Sequence, residues 1–228
     1  MILAANQPYF FPYPGFFYKA YLADIFIILD SVQFPRGTTW TTRNRFKNSQ
    51  GTLWVTVPVK KKGLGLQRIN HVRICHDDRW GKKHAKSIAG AYSKAPYYKA
   101  HMPFVEKLYS SGFEKLIDLN MEIICYLMKQ LQIHTPIIRL SELGIEAKGS
   151  QLVVEICKAM KASTFLTQNA AIKYIDEEPL KEKEIILKTF KPPLLIYPQL
   201  WGDFIPNLSA LDLLFNCGPK AHDIVTTQ

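Results

Sequence analysis

Ile2-Leu-Ala-Ala-Asn-Gln-Pro-Tyr-Phe-Phe-Pro-Tyr-Pro-Gly-Phe-Phe-Tyr-Lys-Ala-Tyr-Leu-Ala-Asp-Ile-Phe-Ile-Ile-Leu-Asp30 decides the fold class. Ile2 to Ala5 is a short apolar run of strand length. Pro8, Pro12, Pro14 and Gly15 then interrupt regular structure. Phe16 to Ala23 resumes as a short helix. Ile25 to Leu29 is apolar and β-branched, as in a buried strand. Strand, loop, helix, strand is the order of a parallel β-α-β unit. Ligands of such units meet the loops at the carboxyl ends of the strands. Those loops carry Asn6-Gln7-Pro8 and Asp30-Ser31-Val32-Gln33.

Further along, Leu53 to Val59 alternates around Trp54 and predicts a strand ending at Pro58. Arg68 to Cys75 predicts another, through Ile69, Val72 and Ile74. Arg79 to Lys94 predicts a helix. Phe104 to Gln132 has apolar residues at helical spacing, with a break at Gly112. Pro136 to Leu140 is extended. Ser150 to Met160 reads as a helix with Ser150 as its N-cap. Thr164 to Thr167 reads as a strand, Asn169 to Ile175 as a short helix, and Leu194 to Tyr197 as a strand. Leu208 to Cys217 reads as a helix that Gly218 caps. The expectation is α/β: one domain over residues 1–228, with a mostly parallel Rossmann-like sheet and a helical section around residues 79 to 132.

The chain is 47% hydrophobic and 21% charged, enough apolar surface for a packed core and too little charge for disorder. No apolar run reaches the roughly 18 residues that span a bilayer. The first residues have no basic segment or cleavage site of a secretory signal, so a cytoplasmic location is expected. Cys75, Cys125, Cys157 and Cys217 form no CxxC pair and read as reduced thiols. Lys and Arg exceed Asp and Glu by 29 − 19 = 10, a balance that attracts phosphate. Between Arg36 and Lys47, Trp40 and Phe46 interleave with Arg43 and Arg45, a mixture that stacks rings and clamps phosphates. No zinc-finger, RRM or KH signature is present, so the expected partner is a small phosphorylated or nucleotide-linked molecule rather than nucleic acid. His71, His76, Asp77 and Asp78 lack ligand spacing, and neither a metal nor a cofactor is assigned.

Several residues could carry chemistry. The amides of Asn6 and Gln7 can read a sugar hydroxyl or a base, or tie down their own loop. Asp30 can act as a general base or cap a turn. Gln33 lies three residues on. Arg43 and Arg45, two apart in an extended segment, point to one side and suit a bidentate grip on a diphosphate; the structural alternative is ion pairing with an acid. Tyr92 can stack on a ring. Ser163 and Gln168 flank the strand at Thr164. Ser209, Asp212 and Asn216 share one helix face, a polar stripe that needs partners or a ligand. Cys217 reads as a buried, inert thiol rather than a nucleophile.

Taken in order, Asn6-Gln-Pro-Tyr-Phe-Phe-Pro-Tyr-Pro-Gly-Phe, Asp30-Ser-Val-Gln-Phe, Trp40-Thr-Thr-Arg-Asn-Arg, Thr56-Val-Pro-Val, Tyr92-Ser-Lys-Ala-Pro-Tyr-Tyr, Ser163-Thr-Phe-Leu-Thr, Tyr197-Pro-Gln199 and Leu208-Ser-Ala-Leu-Asp-Leu-Leu-Phe-Asn-Cys-Gly resemble the WbqC-like protein family. The likeness runs from the first strand to Gly218. Asn6 stands where members often have His or Ser, so it offers hydrogen bonds but no acid–base function. The resemblance implies work in surface-polysaccharide or modified-sugar biosynthesis, as a transferase adding an acyl or aminoacyl group to a nucleotide-linked or carrier-linked amino sugar. On that basis Arg43 and Arg45 hold phosphate, and Asn6, Gln7 and Gln33 orient the acceptor. Asp30 or Asp212 takes a proton from the amine, and Tyr92, Ser163, Gln168, Gln199 and Asn216 complete the substrate site. The alternative is a non-catalytic ligand-binding or scaffold module with a protein partner. The strand, Pro-rich loop and helix also resemble the opening of Rossmann-like nucleotidyltransferases, but the HxGH motif of those enzymes is missing.

Overall fold

The structure, a computed structural model, describes residues 1–227. Five strands form one parallel sheet: β1 (Ile2–Asn6), β2 (Ile25–Ile28), β5 (Ile137–Arg139), β6 (Thr164–Gln168) and β7 (Ile186–Phe190). Their spatial order is β5-β2-β1-β6-β7. Numbered within the sheet this is 3-2-1-4-5, the Rossmann order, which reverses direction between β1 and β6. A separate antiparallel hairpin joins β3 (Arg43–Asn48) and β4 (Gly51–Thr56).

The alternation of strand side chains sets the layers. Ala4, Phe26 and Ile28 face a large core shared with helix α1 (Pro14–Tyr21) and helices α2 (Trp80–Tyr92), α3 (Tyr98–Ser110) and α4 (Leu116–Gln130). Helices α7 (Ala210–Cys217) and α8 (Ala221–Thr226) belong to that layer too. Leu3, Ala5 and Ile27 face a smaller core against α5 (Gly149–Ala159) and the short α6 (Glu178–Lys181). The chain between β2 and β5 therefore supplies the helical section, and its hairpin lays Phe46 and Val55 on the large core.

The parallel sheet and most helices match expectation, with four local differences. Helix α1 starts at Pro14, because a proline in the first helical turn lacks only a hydrogen bond the helix would not have made. Arg68 to Cys75 is not a strand: Ile69–His71 forms a single 3-10 turn between isolated bridges. The strand expected at Leu194 to Tyr197 is irregular, and the fifth sheet strand is β7 instead. Ser150 lies inside α5, and its hydroxyl accepts from the Asp176 amide rather than capping the helix. Gly218 does end α7, with φ of 52°.

At Gly218 an added Cβ would stand 2.4 Å from the Tyr97 ring. Backbone strain and overpacking act together there. Gly218→Ala is expected to lower stability by about 2–4 kcal/mol in urea unfolding. A loss below about 1 kcal/mol would mean that Tyr97 moves aside freely.

Candidate ligand site at the strand divide

The ladder between β1 and β6 ends at the pair Ala4 and Leu166. Beyond it, β1 stays with β2 as far as Asn6 and Ile28, while β6 stays with β7 as far as Gln168 and Phe190. The two halves of the sheet part at their carboxyl ends, and a cavity of about 880 Å³ opens over the divide. Open α/β sheets bind ligands at this position.

The loop from Gln7 to Tyr13 forms one wall, with Phe10 and Phe11 buried beneath it. Side-chain amides hold it in place. Asn120 Nδ2 donates to the Pro8 and Thr41 carbonyls, both at 2.8 Å. Asn44 Nδ2 donates to the Phe10 and Phe11 carbonyls at 3.0 and 2.8 Å. Tyr9 and Tyr13 face the cavity, and Gln168 Nε2 donates to the Tyr13 hydroxyl at 2.6 Å. Burial pushes both phenols above their ordinary range, so they stay protonated at neutral pH.

The rest of the lining is cationic and aromatic: Arg45, Lys191 and Trp40, with Asn207 beside them. Arg45 Nη2 donates to the Pro206 and Asn207 carbonyls, each at 3.1 Å, while its buried Nε has no partner. Among the described residues neither Arg43 nor Arg45 forms an ion pair, so the expected structural alternative does not account for them. Arg43 stacks its guanidinium 3.7 Å from the Trp54 ring centre. Trp54 in turn stacks on Trp40 at 6.0 Å, and both rings are more than 40% exposed. Arg43 borders a smaller recess of about 210 Å³ beside these rings, not the main cavity.

Of the residues named from sequence, the cavity collects Asn6, Arg45 and Gln168. Gln7 and Gln33 meet in a second cleft of about 510 Å³ on the other side of β1, where Arg68 pairs with Glu146. Asp30 is buried and fully engaged: it accepts from the Ser141 amide at 2.9 Å and the Ser141 hydroxyl at 2.6 Å. It ties the end of β2 to the turn after β5. Ser163 precedes β6, at the amino edge of the sheet, where its Oγ accepts from the Met1 amino group. Five residues of strand, about 16 Å, separate it from Gln168.

Asp212, Tyr92 and Asn216 form a buried knot outside the cavity lining. The Tyr92 and Tyr197 hydroxyls donate to the Asp212 carboxylate at 2.5 and 2.7 Å. Asn216 Nδ2 donates to the Asp212 carbonyl at 2.8 Å. Burial raises the Asp212 carboxyl above its ordinary range, against the bonds that lower it. Gln199 exchanges two hydrogen bonds with the Ile205 backbone and accepts from Lys47 Nζ, which shapes the loop carrying Asn207. Cys217 is buried and its thiol is pushed up to about 11. His222 turns to the Leu131 carbonyl.

Tyr9, Tyr13, Trp40, Asn44, Lys191 and Asn207 line the cavity without having been named as site residues from sequence. Tyr9 and Tyr13 had a signal, since they lie in the loop after the first strand. Lys191 and Asn207 had none, because chain folding alone brings them in. Among the described residues no carboxylate, imidazole or thiol lines the cavity. Among the described residues no three His, Cys, Asp or Glu side chains gather as a metal site, and no helix is long and apolar enough to cross a membrane.

The profile of the WbqC-like protein family matches residues 7–224. Uncharacterized protein Rv1507c of Mycobacterium tuberculosis (strain ATCC 25618 / H37Rv) is 31% identical over 223 residues, covering 97% of this chain and 96% of its own. No solved structure matches the chain.

Lys19 of α1 lies just below the divide, 4% exposed, with Nζ donating to the Ala5 carbonyl at 2.6 Å. Burial lowers it from 10.5 to about 8. Between those values the unfolded chain holds the extra proton, so stability rises with pH. The shift corresponds to about 3 kcal/mol gained between pH 7 and pH 10.5. In urea denaturation across that range, the native protein is expected to gain this increment relative to Lys19→Met. Parallel curves for the two proteins would show that Lys19 titrates normally.

Proposed function

The chain belongs to the WbqC-like protein family, and from that premise we propose that it binds a nucleotide-linked or carrier-linked amino sugar at the strand divide and serves as a transferase adding an acyl or aminoacyl group to it. One observation carries this reading: the cavity combines cations, amides and ring faces and has, among the described residues, no carboxylate. Arg45 and Lys191 suit a diphosphate. The amides of Asn6 and Gln168 suit sugar hydroxyls. Tyr9, Tyr13 and Trp40 offer faces to a sugar ring or base.

In acyl transfer the amine nitrogen attacks the acyl carbonyl, the bond to the leaving group breaks, and the nitrogen sheds a proton. The protonated phenols of Tyr9 and Tyr13, which line the cavity, would donate to oxygen as negative charge develops. Asp30 and Asp212 serve as positioning groups, since their oxygens are committed to Ser141 and to the two tyrosines. The amine therefore arrives as the free base, and its proton departs with the leaving group or with water. The lack of a carboxylate or imidazole among the described lining residues favours, as the second reading, a binding module without chemistry of its own.

Nucleoside-diphosphate amino sugars are expected to raise the melting temperature by mass action. Lys191→Glu is expected to abolish that shift, and Asn6→Leu to weaken affinity about 10-fold, on the order of one lost hydrogen bond to a charged or polar ligand. Mass spectrometry of the sugar with acyl-CoA or aminoacyl donors then separates the readings. A mass gain of one acyl group supports the transferase, and binding with no mass change under any donor supports the module. No stabilisation by any nucleotide or carrier-linked sugar overturns both.

A further inference from the structure

Lys19 stands where the sheet divides. Ala5 is one residue beyond the last rung between β1 and β6, and its carbonyl takes the Lys19 ammonium in place of a strand partner. An ammonium carries three donors, and among the described residues this one has a single acceptor. No acid pairs with it. The strands beside it, β1 and β6, bring no titratable side chain. Its own helix adds Tyr18 and Tyr21, and α8, packed against α1, adds His222 and Asp223. His222 is already bonded to the Leu131 carbonyl.

Buried charges in proteins are as a rule paired. An uncharged side chain such as glutamine could donate to the Ala5 carbonyl without the cost of burying a cation. A lysine stands where β1 and β6 separate, bonded to the carbonyl of Ala5, the residue before Asn6, which lines the cavity with Gln168. Its field reaches the divide through low-dielectric protein, where it is little screened.

We propose that the divide between β1 and β6 is an anion subsite, and that Lys19 is the positioning residue that holds a ligand phosphate over Asn6 and Gln168. This rests on the binding reading above and adds to it which part of the ligand lies deepest: the diphosphate enters the divide, and the sugar and base extend toward Arg45, Lys191 and Trp40.

Two substitutions separate charge from hydrogen bonding. Lys19→Gln keeps a donor for the Ala5 carbonyl and removes the charge, and Lys19→Met removes both. Calorimetry uses inorganic pyrophosphate, uridine diphosphate and an uncharged amino-sugar derivative as probes, near pH 8 in two buffers of different ionisation enthalpy. Native protein is expected to bind both phosphate probes with proton uptake, because an anion nearby favours charged Lys19. Both variants are expected to bind them at least 10-fold more weakly and without that uptake, while the uncharged sugar binds all three proteins alike. Circular dichroism establishes that each variant is folded. Native affinity in Lys19→Gln would overturn the subsite and leave Lys19 as a cap for one carbonyl. Native protein that ignores both phosphate probes would overturn it as well, even if the sugar still binds. Phosphate binding that depends on Lys19, with no sugar binding, would support the subsite and sink the amino-sugar reading.

Discussion

The loop between β1 and α1 is buried, and each of its carbonyls must therefore find a donor. This requirement organises the molecule. Pro8 is served by Asn120 of α4, Phe10 and Phe11 by Asn44 of β3, and Pro12 by the Ala210 amide at the start of α7. The Tyr13 carbonyl accepts from the Phe16 amide within α1. Three separate parts of the chain thus converge on one loop, and Phe10 and Phe11 fill the space between them. These bonds add to the shared core in fixing the hairpin, α4 and α7 against the sheet. The cavity inherits its shape from them, because Asn44 both anchors the loop and lines the wall.

The β-α-β opening was legible because its apolar runs are short, β-branched and bounded by proline and glycine. β7 was not, since an edge strand leaves Ile186 64% exposed and shows little of a buried pattern. Leu194 to Tyr197 misled for the converse reason. Its apolar residues cover the surface near Pro192 and the knot around Asp212 without pairing, and Leu194 and Ile196 stay exposed. Asn6 and Gln168 were named because each lies at the carboxyl end of an expected strand, and the pairing of β1 with β6 brings them to one cavity. Asp30 and Asp212 show the limit of that logic. The stripe of Ser209, Asp212 and Asn216 did require partners, but tyrosines and backbone groups distant in sequence supply them. Only the tertiary structure distinguishes a carboxylate awaiting substrate from one already satisfied.

The departure at Asn6 and the missing HxGH motif follow one physical theme. A histidine loop offers imidazole for phosphate contact and proton transfer. This loop offers phenols that burial keeps protonated and amides that do not titrate in water. The loop is therefore built to donate hydrogen bonds over a wide pH range.

Charge is distributed unevenly between the interior and the cavity. The buried acids are consumed internally, Asp30 by Ser141 and Asp212 by two tyrosines. Arg43, Arg45, Lys191 and Lys19 form no ion pair among the described residues. Exposed cations on a chain of net charge +10 need no explanation. Cations gathered around one cavity, with an unpartnered guanidinium nitrogen at its wall and a buried ammonium at the divide, do need one. Electrostatic free energy in such a place is lowered by an anion of the right size, and solvent counter-ions are too mobile to match the fixed geometry. A diphosphate with rings at either end meets the charge, the amides and the aromatic faces together. Cations, amides and aromatic faces are the polar features that the described lining offers a ligand.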